Sequence, residues 1–404
     1  MKKIKLLIIS LYYPSVESIA SNRIASFTKY LDNNKFDIDI ITVQSKGEPS
    51  FEKRGSIDIY RLVISPFESY LKIDKSTNSI LRKIKALYNI LLKKYRFKTW
   101  HKRGKEKVLS LQKQKEYDVV LSSYAPEESH LIALALKREY PSIKWIADMR
   151  DEMSLNPFLS PKVSVQLAST ERDILSQIDA LTSVSKPILN DFKTLAKERA
   201  EKILFREIRN GYDFEIEEKK ENLSDTFTIS YLGSFYGEIN PNNFLEAMER
   251  FIENYRNEKI AIKFIGNNGI VTIPKLLEDK VSLMGFVSHD KALALMKKSD
   301  TLLMIHPNTG RKGVYTGKLF EYLAMQKPII ALVDSSDVAS VLIQKAHAGF
   351  VAEADNIEEI LDAIQSAYVL WKRKESLDFN IDIIKMHHRK EQAYRLEKLI
   401  EEMV

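Results

Sequence analysis

Residues 313–331 read GVYTGKLFEYLAMQKPIIA: a glycine-containing turn, a short amphipathic helix and an apolar run that opens at Pro328. A turn that hands over to a helix, followed at once by a buried strand, is the repeating step of a parallel α/β sheet. The first amide N–H groups of such a helix have no partner within it, and with the positive end of the helix dipole they favour a phosphate. Gly317 lets backbone approach an anion without a side chain in the way, and Lys318 adds a point charge beside it. Glu321 follows on the same helical face, where a carboxylate can accept hydrogen bonds from two neighbouring hydroxyls such as those of a ribose. The same spacing also suits a surface ion pair between Lys318 and Glu321, so the rest of the chain has to decide.

Outward from this segment, apolar strands at 226–232, 260–265, 281–284, 300–306 and 328–333 alternate with periodic helical stretches and predict a parallel sheet. The first half repeats the pattern, with strands at 4–10, 37–43, 57–64, 118–122, 143–148 and 179–184. Between the halves, residues 215–225 are polar and acidic and read as a linker. A chain of 404 residues exceeds what one core organises, so two domains are expected. In open parallel sheets ligands bind beyond the C-terminal strand ends, which directs attention to the turns there.

At these turns the chain resembles the GT-B glycosyltransferases, specifically the retaining enzymes of glycosyltransferase family 4. The resemblance rests on the glutamate-bearing helix and the strand after Lys327-Pro328, on Asn210-Gly211-Tyr212-Asp213, on 231–237 (YLGSFYG) and on 284–288 (MGFVS). It implies two Rossmann-like domains facing a cleft. Their expected extents are 1–205 for the acceptor side and 206–375 for the nucleotide-sugar side, with 376–404 as a helical segment returning to the first domain. The implied donor site comprises Gly233, Ser234, Gly266, Gly285, Phe286, Val287, Thr316, Gly317, Lys318 and Glu321, with Glu321 on the ribose and the backbone of 285–287 reading the base. Two departures stand out. The family usually carries a second glutamate eight positions before Glu321, where this chain has Gly313. It also usually carries a basic pair after the first strand of this domain, and residues 233–240 hold neither Arg nor Lys. Arg311, Lys312 or Lys318 is therefore left to meet the diphosphate.

On the acceptor side, the stretch 15–23 reads as a loop whose Ser21, Asn22 and Arg23 offer hydrogen bonds, with Arg23 suited to an acceptor phosphate. His130 falls at a helix opening and resembles the histidine that similar enzymes keep near the donor sugar, although a lone histidine there also fits a structural role. The cluster from Asp148 through Arg150 to Asp151 sits at a strand end. Arg150 offsets its charge, which argues against a metal and leaves acceptor binding or salt bridging.

Composition narrows the classes. The absence of cysteine excludes disulfides, thiolate metal sites and a cysteine nucleophile. The apolar run 6–11 imitates a secretory signal, but Ser10, Tyr12, Tyr13 and Pro14 interrupt it and a buried first strand fits better. No apolar run reaches the roughly 20 residues of a membrane span. A cytoplasmic enzyme is expected. The net charge of +7 is concentrated between Lys72 and Lys115, where Ile80, Ile84, Leu87 and Leu91 mark an amphipathic basic helix. Such a helix is either a solvated face or an attraction to anionic lipid at the inner face of a membrane. Its aromatic residues form no stacking platform, so nucleic acid is not an expected partner.

The resemblance therefore implies a retaining transferase, moving a sugar from a nucleoside diphosphate donor to a glycan or lipid-linked hydroxyl in bacterial surface polysaccharide assembly, with no metal. Lys318, Glu321 and His130 would stand nearest the chemistry. The alternative is a sugar-nucleotide epimerase of the same fold, which needs acid/base carboxylates from among Glu127, Glu128, Asp148 and Asp151.

Overall fold

The computed structural model describes every residue except 1, 15–18, 46, 65–78, 218–224, 268 and 270, and describes residues 19 and 79–96 by backbone alone. The side chains of the basic segment, Lys83, Lys85, Lys93 and Lys94 among them, thus lie outside the described residues. The chain forms two compact units, one of residues 1–209 with 392–404 and one of residues 210–391.

The first unit is an eight-stranded sheet of β1 (Ile4–Ile9), β2 (Phe36–Val43), β3 (Phe51–Arg54), β4 (Ile57–Leu62), β5 (Val119–Ser123), β6 (Lys144–Met149), β7 (Ala180–Ser183) and β8 (Leu204–Glu207), in the order β3-β4-β2-β1-β5-β6-β7-β8. Its helices are α1 (Ile19–Tyr30), α2 (Ser79–Lys115), α3 (Glu128–Glu139), α4 (Pro161–Gln177) and α5 (Lys186–Ala196). In β1 the run from Leu6 to Ile9 is buried at every position, which requires cover on both faces of the sheet. One face packs under α2 and α3 through Trp100, Val108, Leu111 and Ile132, and the other under α1 through Ile24 and Phe27.

The second unit is a six-stranded parallel sheet of β9 (Phe227–Leu232), β10 (Ile260–Ile265), β11 (Val281–Met284), β12 (Thr301–His306), β13 (Ile329–Val333) and β14 (Gly349–Ala352), in the order β11-β10-β9-β12-β13-β14. Helices α6 (Asn242–Asn254) and α10 (Ile357–Arg373) cover one face, and α7 (His289–Lys297), α8 (Gly317–Ala324), α9 (Val338–Lys345) and α11 (Ile381–Lys385) the other. The strand order reverses between β9 and β12, so the loops after these two strands diverge and open a crevice at the C-terminal edge. The last helix, α12 (Arg389–Met403), carries the chain back: Ala393, Leu396, Leu399 and Ile400 are buried among Leu6, Ile8 and Leu121 of the first unit.

Several expectations need correction. The first sheet is mixed rather than wholly parallel, because β3 pairs antiparallel with β4; its charged, exposed residues suit an edge and gave no apolar signal. Residues 19–23 are the opening turns of α1 rather than a loop, since Ala20, Ile24 and Phe27 form one buried stripe. The return to the first unit begins at 392 rather than 376, because α11 buries Ile384 beside Phe320 and Leu323 in the second unit. No helix among the described residues is long and apolar enough to cross a membrane.

Candidate functional site

In the second unit the site forms around the crevice between β9 and β12. Strand β9 ends at Gly233, whose φ of +147° is open to glycine alone. A Cβ there would lie 2.1 Å from the Lys318 Nζ, and a Cβ on Gly266 would lie 2.2 Å from the Gly233 carbonyl oxygen. The two glycines therefore let three segments close on one point: the β9 loop, the β10 loop and the start of α8.

Lys318 fills that point. Its Nζ donates to the Tyr231 hydroxyl at 3.2 Å and lies 4.4 Å from the centre of the same ring, while the Tyr231 hydroxyl donates to the Ser234 carbonyl at 3.2 Å. No carboxylate pairs with Lys318 among the described residues, and burial lowers its pKa from 10.5 to about 8. A partly desolvated ammonium group without a carboxylate counter-ion, beside the free N–H groups of a helix start, is an anion site prepared in advance. Thr316 precedes α8 in extended conformation, and its hydroxyl is buried without a partner, leaving it available at the same point. Lys312, by contrast, is committed to Asp334 and to the Ser336 hydroxyl. Ser234 enters through its carbonyl rather than its hydroxyl.

Glu321 lies one turn along α8 and is mostly buried, and its Oε1 is 2.9 Å from His289 Nε2 at the start of α7. The alternative of a Lys318–Glu321 surface pair is not formed; each residue has another partner. Gly285, Phe286 and Val287 lie between β11 and α7 outside regular structure, with Phe286 80% exposed and Val287 turned into the core. Gly313 has φ +81° and donates its N–H to Asp337 Oδ1 at 2.8 Å. The family's missing glutamate thus coincides with a backbone conformation that resists any side chain.

The first unit gathers a second constellation at the C-terminal ends of β5, β6 and β7. Arg23 grips Asp148 through two nitrogens, Nε to Oδ2 at 3.0 Å and Nη2 to Oδ1 at 2.7 Å. Ser123 donates to the same carboxylate at 2.9 Å and Thr182 at 2.7 Å. Burial opposes the charge on Asp148, but Arg23 and these hydroxyls outweigh it and hold the carboxyl below its ordinary pKa. Arg23 and Asp148 are therefore a buried structural pair rather than acceptor contacts, and Ser21 is buried beside them on α1. Asn22, on the opposite side of that helix, is exposed. Arg150 donates to the Tyr124 carbonyl and stays half-buried at the strand end.

His130 is fully buried. Its Nδ1 is 2.7 Å from the Ser122 hydroxyl, which itself accepts from Trp145 Nε1 at 2.7 Å. Burial drives its pKa down to about 3, so the ring is neutral near pH 7, and its Nε2 has no partner. No three His, Asp or Glu side chains among the described residues are placed to hold a metal ion.

The sequence reading does not single out Tyr231, His289 or His306. Tyr231 stands two residues before Gly233, so strand alternation already places both on one face of the sheet. His289 follows Ser288, which caps α7, and a helix start beside the 285–287 turn marks it. His306 ends β12 with Nδ1 buried and unpartnered, and burial lowers its pKa while Asp337 opposes and Arg311 and Lys318 reinforce the shift.

Residues 226–368 match the family model described as glycosyl transferases group 1. No curated protein matches the chain in sequence. Among solved structures, the sucrose-phosphate synthase of Thermosynechococcus elongatus aligns with TM-score 0.69 and 13% identity, over 99% of each chain. Anabaena HepE in complex with UDP aligns with TM-score 0.63 and 13% identity, over 99% of this chain and 100% of that one. The UDP-GlcNAc 2-epimerase of Methanocaldococcus jannaschii aligns with TM-score 0.54 and 14% identity, over 99% of each. Identities this low speak for the fold, which these chains share, and leave the family match to speak for chemistry. Residues 226–368 thus match the group 1 glycosyl transferases in sequence, and the protein that carries them is a glycosyltransferase of GT-B fold.

Proposed function

We propose that the protein transfers a sugar from a nucleoside diphosphate donor to a hydroxyl acceptor with retention at the anomeric carbon. The observation that carries this reading is Lys318: half-buried, without a carboxylate partner among the described residues, and fixed at the start of α8 by Tyr231. As the bond from the anomeric carbon to the diphosphate breaks, negative charge grows on the leaving phosphate. Lys318 and the first N–H groups of α8 stabilise it without rearranging. The acceptor oxygen bonds to the same carbon, and its proton passes to a phosphate oxygen of the leaving group, so no side-chain nucleophile and no metal is required. Glu321 receives the ribose hydroxyls, and Phe286 and the 285–287 backbone face the base.

An epimerase would need acid/base carboxylates, and Asp148 is saturated by Arg23, Ser123 and Thr182, which favours transfer. The acceptor belongs to a glycan or lipid-linked intermediate of bacterial surface polysaccharide, handled at the cytoplasmic face of the membrane. A screen of UDP-, GDP- and CMP-sugars by ligand-observed NMR tests the donor. Incubation of the binding donor with polysaccharide intermediates, in chelator, should then yield a product of unchanged anomeric configuration. Failure of every nucleotide sugar to bind, or a requirement for added magnesium or manganese, would overturn the reading.

A further inference from the structure

His306 is a titratable group on the wall of the crevice that the proposed reaction does not use. Its position follows from the register of β12. That strand pairs with β9 only as far as Leu303 opposite Tyr231, whereas its pairing with β13 continues to His306 opposite Val333. Residues 304–306 therefore run on after the pairing with β9 has ended, and border the crevice that opens there. Their side chains alternate: Ile305 packs with the residues under α6 and α10, and Leu302 and Met304 with those under α8. His306 falls on the side of Met304, the face covered by α8, whose first turn carries Lys318.

The surroundings of this imidazole are charged. Arg311 and Lys312 lie on the loop that follows it, Lys318 on α8, and Asp334 and Asp337 on the loop after β13. Lys312 is bound to Asp334, and Asp337 accepts the Gly313 N–H at 2.8 Å. Burial holds the ring below its ordinary pKa; Asp337 opposes that shift, and Arg311 and Lys318 add to it. The imidazole is therefore neutral near pH 7, and its Nδ1 is buried without a hydrogen-bond partner.

A nucleoside diphosphate sugar carries a negative charge on each of its two phosphates, and the loop 233–240 after β9 offers it no Arg or Lys. Lys318 answers one of those charges. We propose that His306 takes up a proton as the diphosphate binds and becomes the second cation of the donor site. The anion reverses the local field: it offsets the charge of Lys318 and sets negative charge beside the ring, and both changes favour imidazolium. The proton comes from solvent and returns to it when the nucleotide leaves. Donor affinity is thereby tied to pH, because a ligand that strengthens proton binding at a group is itself bound more tightly where that group is protonated. The inference rests on the reading that places the diphosphate at Lys318.

The test uses the full chain with UDP and with GDP. In wild-type protein labelled in its histidine rings, the His306 signal, assigned by its loss in His306→Gln, should move from the neutral toward the protonated position when nucleotide is added at pH 7. Calorimetry in buffers of different ionisation enthalpy should show greater proton uptake by the wild type than by His306→Gln. Between pH 6 and 8 the wild-type affinity should fall about tenfold more than that of the variant, the factor that one unit of displacement at the histidine produces. Titration of the nucleotide and of Lys318 is common to both proteins and cancels in the comparison. A ring that stays neutral in the complex would overturn the proposal. So would a variant that loses affinity equally at every pH, the result of a neutral hydrogen bond or of altered structure. Failure of both nucleotides to bind would overturn the donor site and this inference with it, whereas binding without proton uptake would overturn the role of His306 alone.

Discussion

The ammonium group of Lys318 lies 3.2 Å from the Tyr231 hydroxyl and 4.4 Å from the centre of that ring, with no carboxylate on it among the described residues. Holding an uncompensated charge in a half-buried place costs the fold stability and prepares the site for an anion. Lys318→Met should therefore lower turnover by about 10²–10³-fold. It should also stabilise the unliganded protein by roughly 1–3 kcal/mol at pH 7, since a pKa displacement of one unit is worth about 1.4 kcal/mol. Urea unfolding checks the second half, and a destabilised variant would show that Lys318 is already compensated.

The same lysine sets a pH dependence. Its pKa is lowered from 10.5 to about 8 by burial, so above pH 8 the native state binds fewer protons than the unfolded state. Stability should accordingly gain from this group as pH rises from about 8 toward its unfolded value, while donor affinity falls through the same window. A pH profile of kcat/KM should show the alkaline limb near 8, and Lys318→Met should lose that limb.

Glu321 has His289 on one oxygen at 2.9 Å, which fixes the carboxylate and leaves its second oxygen for a ligand. Glu321→Gln should weaken nucleoside diphosphate binding roughly tenfold, the cost of a charged hydrogen bond. His289 is largely exposed, so His289→Ala should cost about threefold in KM with kcat unchanged. Calorimetry with the free nucleotide separates the outcomes; an unaltered affinity in Glu321→Gln would make the carboxylate structural.

Arg23 and Asp148 are both buried, and removing one leaves the other uncompensated. Arg23→Ala should destabilise the first unit by about 3–5 kcal/mol. The carboxyl of Asp148 is held below its ordinary pKa, so its contribution is complete above the unfolded value and disappears as pH falls below it. Acid unfolding of Asp148→Asn should be shallower than that of the wild type.

Gly313 stands eight positions before Glu321, at φ +81°. Gly313→Glu should lower stability by about 1–2 kcal/mol without raising activity, because the left-handed conformation resists a side chain. A faster and equally stable variant would show that the loop readily adopts another conformation.

What could be read in the sequence follows from where each signal resides. Strands such as β1 and β9 are continuous apolar runs because both faces are covered, and they stand out. Strand β3 is charged and solvent-facing, and β14 is only four residues long and opens at Gly349, which lies against the Ile329 backbone, so neither stands out. Lys318 and Glu321 were legible because one helix carries both. Their partners were not: Tyr231 is 87 positions from Lys318, and His289 is 32 from Glu321. Arg23 and Asp148 are separated by 125 positions, and polar residues near the start of α1 looked like a ligand loop until Ala20, Ile24 and Phe27 were seen facing the sheet.

The route by which α12 completes the first unit bears on how the chain is made. Leu6, Ile8 and Leu121 have only part of their cover, from Ile24 and Phe27 of α1, until Leu396 and Ile400 have left the ribosome, and residues 210–391 are synthesised in between. At roughly 5–20 residues per second that interval is on the order of ten to forty seconds. During it the second unit can fold alone, while the first waits with part of an apolar face exposed. The nascent protein therefore matures from its middle outward, and a ribosome stalled before codon 392 leaves a first unit that a chaperone must hold.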